Sequence, residues 1–204
     1  AVISVASVIQ DLQLPLHVHF IFPVVENIPS DRSVKPGDVF LGKNGKSVEI
    51  ENTDAERRLI LADALCYAEE QGVDHIIDIA TLTGAVLVAL GDDIAGIMGT
   101  DETMMNLIRS AGQTVGEKYW QLPLEESYRK LLKSDVADLK NVAGGRSAGS
   151  IIGGLFLSEF VEKTPWVHID CGPAMSEKDS PLLPKGGTGF AVRTFIELLT
   201  KLAS

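Results

Sequence analysis

Short apolar segments alternate with helical patterns along most of the chain, and this alternation limits the fold more than any other feature of the sequence. The segments "HIIDIAT", "IAGIMGT" and "WVHID" have the length and residue types of strands, and helical patterns such as "DETMMNLIRSAGQTVG" lie between them. Strands joined through helices form right-handed βαβ crossovers, which build a parallel sheet. The sequence therefore predicts an α/β fold with a mainly parallel mixed sheet and helices on both faces.

Three predicted elements precede this alternating region. The run "LHVHFIFPVV", residues 16–25, is rich in β-branched and aromatic residues and predicts a strand. Residues 38–51 alternate apolar and polar side chains on both sides of Asn44-Gly45, a pair typical of hairpin turns. Residues 54–70 then carry apolar side chains at helical spacing, and Gly72 ends this predicted helix.

Composition and charge exclude several classes of protein. The 204 residues carry a formal net charge of −10, which repels the phosphates of nucleic acids. No apolar run in the sequence approaches the roughly 20 residues that cross a bilayer, so neither nucleic acid nor a membrane is an expected partner. Two isolated cysteines, Cys66 and Cys171, do not make a disulfide framework. This favours a reducing compartment, either the cytoplasm or an organelle like it.

Ligands of α/β proteins bind beyond the carboxyl ends of strands, where loops lead into helices. Three loops of this kind contain polar and small residues, namely "ENTDAERR", "ATLTG" and "NVAGGRSAGS". The third is rich in glycine and carries Arg146 just before a predicted helix, an arrangement that favours an anion although it matches no nucleotide-binding motif. Thr81 and Thr83 of the second loop offer hydroxyl groups, which near helix starts usually serve as caps.

The first loop has two interpretations that its residues alone leave open. Thr53 and Glu56 form a T-x-x-E capping box, which satisfies free amides at a helix start, and local sequence favours this interpretation. In the other, Asp54 and Glu56 share a divalent cation such as Mn²⁺, Mg²⁺ or Zn²⁺. The cap does not explain Arg57 and Arg58, because a helix dipole disfavours cations in the first turn. An arginine beside carboxylates is suited to binding an anion.

Several segments together resemble the leucine aminopeptidase family, the cytosol aminopeptidases with two metal ions. "NTDAERRL" matches the family signature N-T-D-A-E-G-R-L at every position but one, and "ATLTGA", "ADLKNVAGGRSAG" and "GGTGFAVRT" resemble further family segments. The likeness runs from the first residue of the chain to the last. It favours the metal interpretation of the first loop over the cap.

The resemblance implies roles for residues of the first two loops. Asp54 and Glu56 would be carboxylate ligands of the paired metal ions. Arg58 would hold a bicarbonate-like anion that assists proton transfer. The second loop would line the substrate cleft, where the family uses the backbone carbonyl of the leucine, at Thr81, Leu82 and Gly84.

The resemblance also implies the cofactors, partners and location of the family. The cofactors would be two divalent metal ions, Mn or Zn or Mg, together with the anion at Arg58. The substrates would be peptides, from which amino-terminal residues such as leucine are released. The expected assembly is a homo-oligomer, a hexamer in the family, in the cytoplasm. Residues 1–204 would then be the distal part of one metallo-aminopeptidase catalytic domain, without the family's amino-terminal domain and upstream metal-ligand segment.

Two departures from the family pattern lead to a rival hypothesis. Arg57 stands where the signature has glycine, a residue suited to close backbone approach or an unusual dihedral angle, and it adds bulk and charge beside the expected ligands. The family's other metal ligands belong to the upstream segment. We therefore expect weak metal binding and no turnover by the chain alone. The alternative function is that of a non-catalytic aminopeptidase-like structural or assembly protein.

Overall fold

A computed structural model describes residues 1–145, 147–179 and 185–203, and it has the predicted α/β architecture. The helices are α1 (Val2–Leu12), α2 (Arg57–Glu70), α3 (Ala85–Leu90), α4 (Glu102–Val115), α5 (Gly149–Ser158) and α6 (Val192–Leu202). The strands are β1 (Val39–Leu41), β2 (Ser47–Glu49), β3 (Ile76–Ala80), β4 (Ile94–Gly99), β5 (Lys118–Gln121), β6 (Leu139–Lys140), β7 (Trp166–Asp170), β8 (Met175–Ser176) and β9 (Gly186–Gly187). Short 3₁₀ helices span Thr53–Ala55, Glu126–Leu132 and Gly172–Ala174.

The central sheet has the strand order β3-β7-β4-β5. β3 and β7 run parallel and pair along their whole length, from Ile76 opposite Trp166 to Ala80 opposite Asp170. β4 is antiparallel to β7 and parallel to β5. Parallel pairs therefore predominate, and the predicted mainly parallel mixed sheet is confirmed.

Helices cover both faces of this sheet, as predicted. On one face, Ile97 of β4 and Ile169 of β7 pack with buried apolar residues of α4 and α6. On the other, Trp166 belongs to a core built with α2 and α5. Successive residues of a strand point to opposite faces, so β7 contributes to both cores and is buried along its whole length. None of the helices in the described ranges is long and apolar enough to cross a membrane.

A second sheet brings two of the candidate loops side by side. β1 and β2 form the predicted hairpin, and Gly45 in its turn has a φ of +85°, which glycine adopts without strain. β2 also pairs in parallel with β6. Parallel strands end at the same edge of a sheet, so the loop after β2 lies beside the loop after β6.

The strand predicted for residues 16–25 is wrong. These residues are not part of a strand, and within the described ranges no backbone hydrogen bond joins residues 17–25 to another segment. Their exposure nevertheless alternates for much of the run, and the segment lines a groove beside β3. A strand needs a hydrogen-bonded neighbour as well as suitable residues. The residue types of the run carry no information about such a neighbour.

The helix predicted from residue 54 begins at Arg57, after a separate 3₁₀ turn. The predicted capping box is also wrong, because the N-cap residue of α2 is Glu56 and makes no side-chain cap bond. Instead, Asn52 caps the 3₁₀ turn, and its Oδ1 accepts a hydrogen bond from the Asp54 amide at 2.9 Å. Asparagine side chains readily bond the amide two residues on, which explains why Asn52 rather than Thr53 takes this position.

Candidate active site

Loops that follow β2, β3 and β6 meet at one place in the molecule. Hydrogen bonds join the first loop to the second through Arg57 and Thr81, and to the third through Arg58 and Asn141. This confirms that the carboxyl ends of these strands share one region, where α/β proteins bind their ligands. We refer to this region as the candidate site.

The two candidate metal ligands lie on the turn between β2 and α2. Asp54 is exposed, and Glu56 is half-buried. The Asn27 side-chain amide donates to Glu56 Oε1 at 3.5 Å. The turn itself is held by its backbone and by Asn52, and no hydrogen bond between described residues uses the Asp54 carboxylate. The carboxylates therefore keep oxygen atoms available to a ligand.

Asn141 holds this turn from the interior of the protein and is fully buried. Its Oδ1 accepts hydrogen bonds from the amides of Glu51 at 3.0 Å and Asn52 at 3.3 Å. Its Nδ2 donates to the carbonyls of Asn52 at 2.6 Å and Ala55 at 3.5 Å. Buried polar groups are generally paired in this way. Both ends of one amide thus fix the backbone on either side of Asp54.

Arg58 lies in the interior beside the same turn and is 7% exposed. Its Nη1 donates to the Asn141 carbonyl at 2.7 Å, and its guanidinium carbon is 5.6 Å from the centre of the Phe156 ring. Burial lowers the pKa of Arg58 to about 10, and the negative charge of Asp170 opposes this shift. The side chain remains protonated at neutral pH. Its hydrogen bond to an uncharged carbonyl leaves the positive charge suited to an anion.

The second loop is fastened to the end of β7 by a buried carboxylate. Asp170 is fully buried, and its Oδ1 accepts hydrogen bonds from the amides of Leu82 at 3.1 Å and Thr83 at 3.2 Å. Its Oδ2 accepts from the Thr83 hydroxyl at 2.6 Å. On the other side, a Cβ on Gly153 of α5 would lie only 3.0 Å from Thr83 and 3.1 Å from Leu82. Glycine there permits the close approach of helix and loop.

A buried ion pair between β3 and β7 lies on the same face of the sheet as Asp170. His168 Nδ1 is 2.6 Å from Asp78 Oδ1, and the Trp166 indole donates to Asp78 Oδ2 at 2.7 Å. Burial by itself lowers the pKa of His168, but the charge and the hydrogen bond of Asp78 outweigh it, so the pKa lies above its ordinary value. This pair cross-links the two strands whose ends carry the second loop and Asp170.

The described residues do not complete a metal site. Carboxylate oxygens suit Mn²⁺, Mg²⁺ and Zn²⁺, so the chemistry of Asp54 and Glu56 fits such ions. However, no group of three or more His, Cys, Asp and Glu side chains that could hold an ion occurs in the described ranges. A tetrahedral zinc site alone needs three or four ligands. The number of ligands is therefore insufficient.

Arg57 makes the direct link between the first two candidate loops. Its Nη1 donates to the Thr81 carbonyl at 3.0 Å and to the Thr81 hydroxyl at 3.1 Å.

Two further predicted residues lie in these loops. Gly84, the third predicted cleft residue, is the N-cap residue of α3. Arg146 lies outside the described residues, and so does the centre of the predicted anion-binding loop.

Sequence reasoning missed Asn141 and Asp170 as residues that shape the site. Both directly follow or end a predicted strand, in "VADLKN" and "WVHID". Polar residues at the carboxyl ends of parallel strands are the signal that singled out the other loops. The rule already selects the loop that begins at Asn141, and applied to the strand "WVHID" it also identifies Asp170.

Comparisons with known proteins identify related chains. The model of the cytosol aminopeptidase family, catalytic domain, matches residues 1–196. A probable cytosol aminopeptidase of Picosynechococcus sp. is 53% identical over 197 residues, which are 96% of this chain and 40% of the relative. Another, of Gloeobacter violaceus, is 50% identical over 98% of this chain and 40% of the relative. The solved structure of a mutant of tomato leucine aminopeptidase has a TM-score of 0.81 and 44% identity, over 86% of this chain and 34% of that chain.

Together with the fold and the site, these matches place the chain in a class of peptidases. Within that class it belongs to the cytosol aminopeptidase family. The chain spans about 40% of the length of the curated relatives that it matches.

Proposed function

We propose that this chain carries part of the active site of an aminopeptidase that releases amino-terminal residues such as leucine from peptides. The observation that carries the proposal is the junction of two loops: the turn with Asp54 and Glu56 is hydrogen-bonded to the loop that begins at Thr81. Relatives at 53% and 50% identity are named cytosol aminopeptidases, which supports the same chemistry.

Within this proposal, Asp54 and Glu56 supply two carboxylates to a centre of two divalent ions, Mn, Zn or Mg. Ligands beyond the described residues would have to complete that centre, because these two side chains alone do not hold an ion firmly. Arg58 supplies a fixed positive charge for a bicarbonate-like anion. Its hydrogen bond to the Asn141 carbonyl orients the guanidinium group without neutralising it.

The loop that follows β3 would contact the peptide substrate. Thr81, Leu82 and Gly84 line the cleft in this proposal, with the Leu82 carbonyl directed to the substrate. The Leu82 amide bonds the buried Asp170 carboxylate, which leaves its carbonyl as the polar backbone group available to a ligand. A backbone fixed in this way positions a substrate without reorganisation.

A direct test joins this chain to the remaining segments of the Picosynechococcus sp. relative, of which it spans 40%, and measures metal content and hydrolysis of leucine p-nitroanilide with and without added Mn²⁺ or Zn²⁺. Metal-dependent turnover that Glu56→Gln reduces at least about a hundredfold would support the proposal. The matched control is Glu102→Gln, which removes an exposed carboxylate on α4 and should leave turnover unchanged. Equal effects of the two substitutions would contradict the assignment of Glu56.

The rival candidate is a non-catalytic structural or assembly protein of the same family. It predicts neither metal uptake nor turnover in the same assay, together with a defined oligomer in sedimentation analysis. A monomer without turnover would contradict both candidates.

The remaining expectations concern assembly and location. A homo-oligomer, hexameric as the family resemblance implies, and a cytoplasmic location are proposed for the protein. Sedimentation velocity of the purified protein and fractionation of the producing cells would test them.

A further inference from the structure

Arg57 occupies its position without visible cost to the backbone. It is the first residue of α2, and it is not among the described non-glycine residues with positive φ, which are Gln13, Ala148 and Ala191. Its side chain is 61% exposed, so the added bulk meets mainly solvent. Neither an unusual dihedral angle nor close packing therefore requires glycine at this position.

The guanidinium group of Arg57 joins two functional segments. Nη1 donates to both oxygens of Thr81, and Nε lies 3.8 Å from Glu56 Oε1. Thr81 and Glu56 are far apart in sequence, and each belongs to a different candidate loop. The planar guanidinium group can donate to two acceptors at once. A lysine ammonium group can do so only with a less fixed geometry.

Without the hydrogen bonds from Arg57, only the inner part of the loop after β3 would be fixed. Its inner part, Leu82 and Thr83, is bonded to the fully buried Asp170. Thr81, which precedes it, lies nearer the surface, where its carbonyl and hydroxyl accept from Arg57. Arg57 therefore holds the outer end of a loop whose inner end is fixed by the core.

We propose that Arg57 is a positioning residue that cross-links the carboxylate turn to the loop of Thr81–Gly84 and sets the separation between them. The substitution of glycine by arginine in the signature is then a functional feature of this chain. Its structural part is independent of the proposed function, and only its effect on substrate binding rests on the aminopeptidase assignment.

Amide hydrogen exchange tests the cross-link without any need for activity. Arg57→Ala should raise exchange in peptides covering residues 79–85 about fivefold, the factor expected for one ordinary hydrogen bond. Its thermal midpoint should change little, because an arginine in the first turn of a helix adds no favourable dipole interaction. Arg109→Ala is the matched control, since it removes an exposed arginine of α4 and should leave exchange in residues 79–85 unchanged.

A double-substitution cycle makes the test specific to the contact. Thr81→Val alone should produce a smaller rise, because the Thr81 carbonyl still accepts from Arg57. Adding Thr81→Val to Arg57→Ala should produce no further increase, and Arg57→Lys should restore part of the protection. Additive effects of the two substitutions, or equal exchange in the Arg57 and Arg109 variants, would overturn the proposal.

If leucine p-nitroanilide is hydrolysed, its kinetics provide a second measurement of the effect of Arg57. Arg57→Ala should raise KM about fivefold and change kcat less than about twofold, because it displaces a substrate-contacting loop and leaves both carboxylates in place. A loss confined to kcat would contradict positioning through the loop. If the chain hydrolyses no substrate even when joined to the remaining segments of its relative, the proposed function fails, while the exchange measurements still decide the role of Arg57.

Discussion

Asn141 and Asp170 are fully buried polar residues that use their side chains to hold backbone groups of loops. Each such hydrogen bond contributes only about 1 kcal/mol when made, but a buried group left without its partner costs about 1–3 kcal/mol. Asn141 serves four backbone groups of residues 51–55 with one amide. The geometry of the carboxylate turn therefore depends on a residue that does not face the cleft.

Asn141→Ala should lower the free energy of unfolding by about 2 kcal/mol, because it leaves several part-buried backbone groups without their hydrogen-bond partner. Urea denaturation measures this change. Asn106→Ala, at an exposed position of α4, is the control and should change stability by no more than about 0.5 kcal/mol. Similar losses in the two variants would contradict the role assigned to Asn141.

The Asp78–His168 pair should make stability depend on pH. The pKa of His168 is raised in the folded protein, so its stabilising contribution is fully present below the unfolded-state pKa of about 6.5. The contribution is lost as the pH rises through the higher folded-state pKa. Unfolding free energies of the protein and of His168→Gln between pH 5.5 and 8.5 measure this difference.

The advantage of the unsubstituted protein over His168→Gln should therefore shrink as the pH rises. Asn106→Ala, which removes no titratable group from an exposed position, serves as the control and should give a nearly constant difference. A constant difference for His168→Gln as well would show that the pair makes no pH-dependent contribution, and a difference that grows with pH would show that it has the opposite effect.

At the scale of elements, the pairing of β4 with β7 depends on one small residue. A Cβ on Gly99 would lie 2.1 Å from the Trp166 carbonyl oxygen and 2.8 Å from the Val167 Cα. Both are backbone atoms of the neighbouring strand, which cannot move aside without breaking the pairing. The antiparallel junction at the centre of the sheet thus requires glycine.

Gly99→Ala should accordingly lower the free energy of unfolding by about 2–3 kcal/mol. Gly144→Ala is the matched control, because a Cβ there meets nothing within 4 Å and the backbone angle is not positive. That control should be neutral or slightly stabilising. Chemical denaturation of both variants measures the difference, and equal stabilities would show that β4 and β7 adapt without cost.

The elements that the sequence predicted correctly are those whose pattern reflects burial. β7 is buried on both faces, and α4 presents Met104, Met105 and Ile108 to the core, so residue type and spacing are sufficient to locate both. β5 was missed because it is short and only partly buried. The pattern near "LEESYRKLLK" predicts a helix, and the structure has a 3₁₀ helix over residues 126–132 there. Side-chain spacing over so few residues does not encode this difference in hydrogen bonding.

The candidate site was predictable to a similar extent. The signature motif singles out Asp54 and Glu56 as candidate ligands, because motif residues are contiguous in sequence. The bonds that fix them are not contiguous, since Asn141 reaches Asn52 across 89 positions. The contact between Arg57 and Thr81 likewise depends on where two loops end in space, and the signature alone presented Arg57 as a misfit.

At the scale of the whole molecule, the outer sides of both edge strands of the central sheet, β3 and β5, are unpaired among the described residues. β3 pairs with β7 on one side, and no strand among the described residues pairs with its other side. Beside it lies the groove lined by residues 16–24. Apolar side chains near the β3 edge are exposed, including Ile3 at 71% and Val24 at 85%.

The open β3 edge has a consequence for the behaviour of the protein in concentrated solution. Unpaired backbone groups beside exposed apolar side chains template the addition of strands from other molecules. The mass measured by static light scattering should therefore rise with concentration, and Val24→Lys should reduce that rise. Val136→Lys, at another exposed valine on a different loop, which is 68% exposed, should not. We therefore expect the chain to resist association longest in dilute solution, or when another strand pairs with the β3 edge.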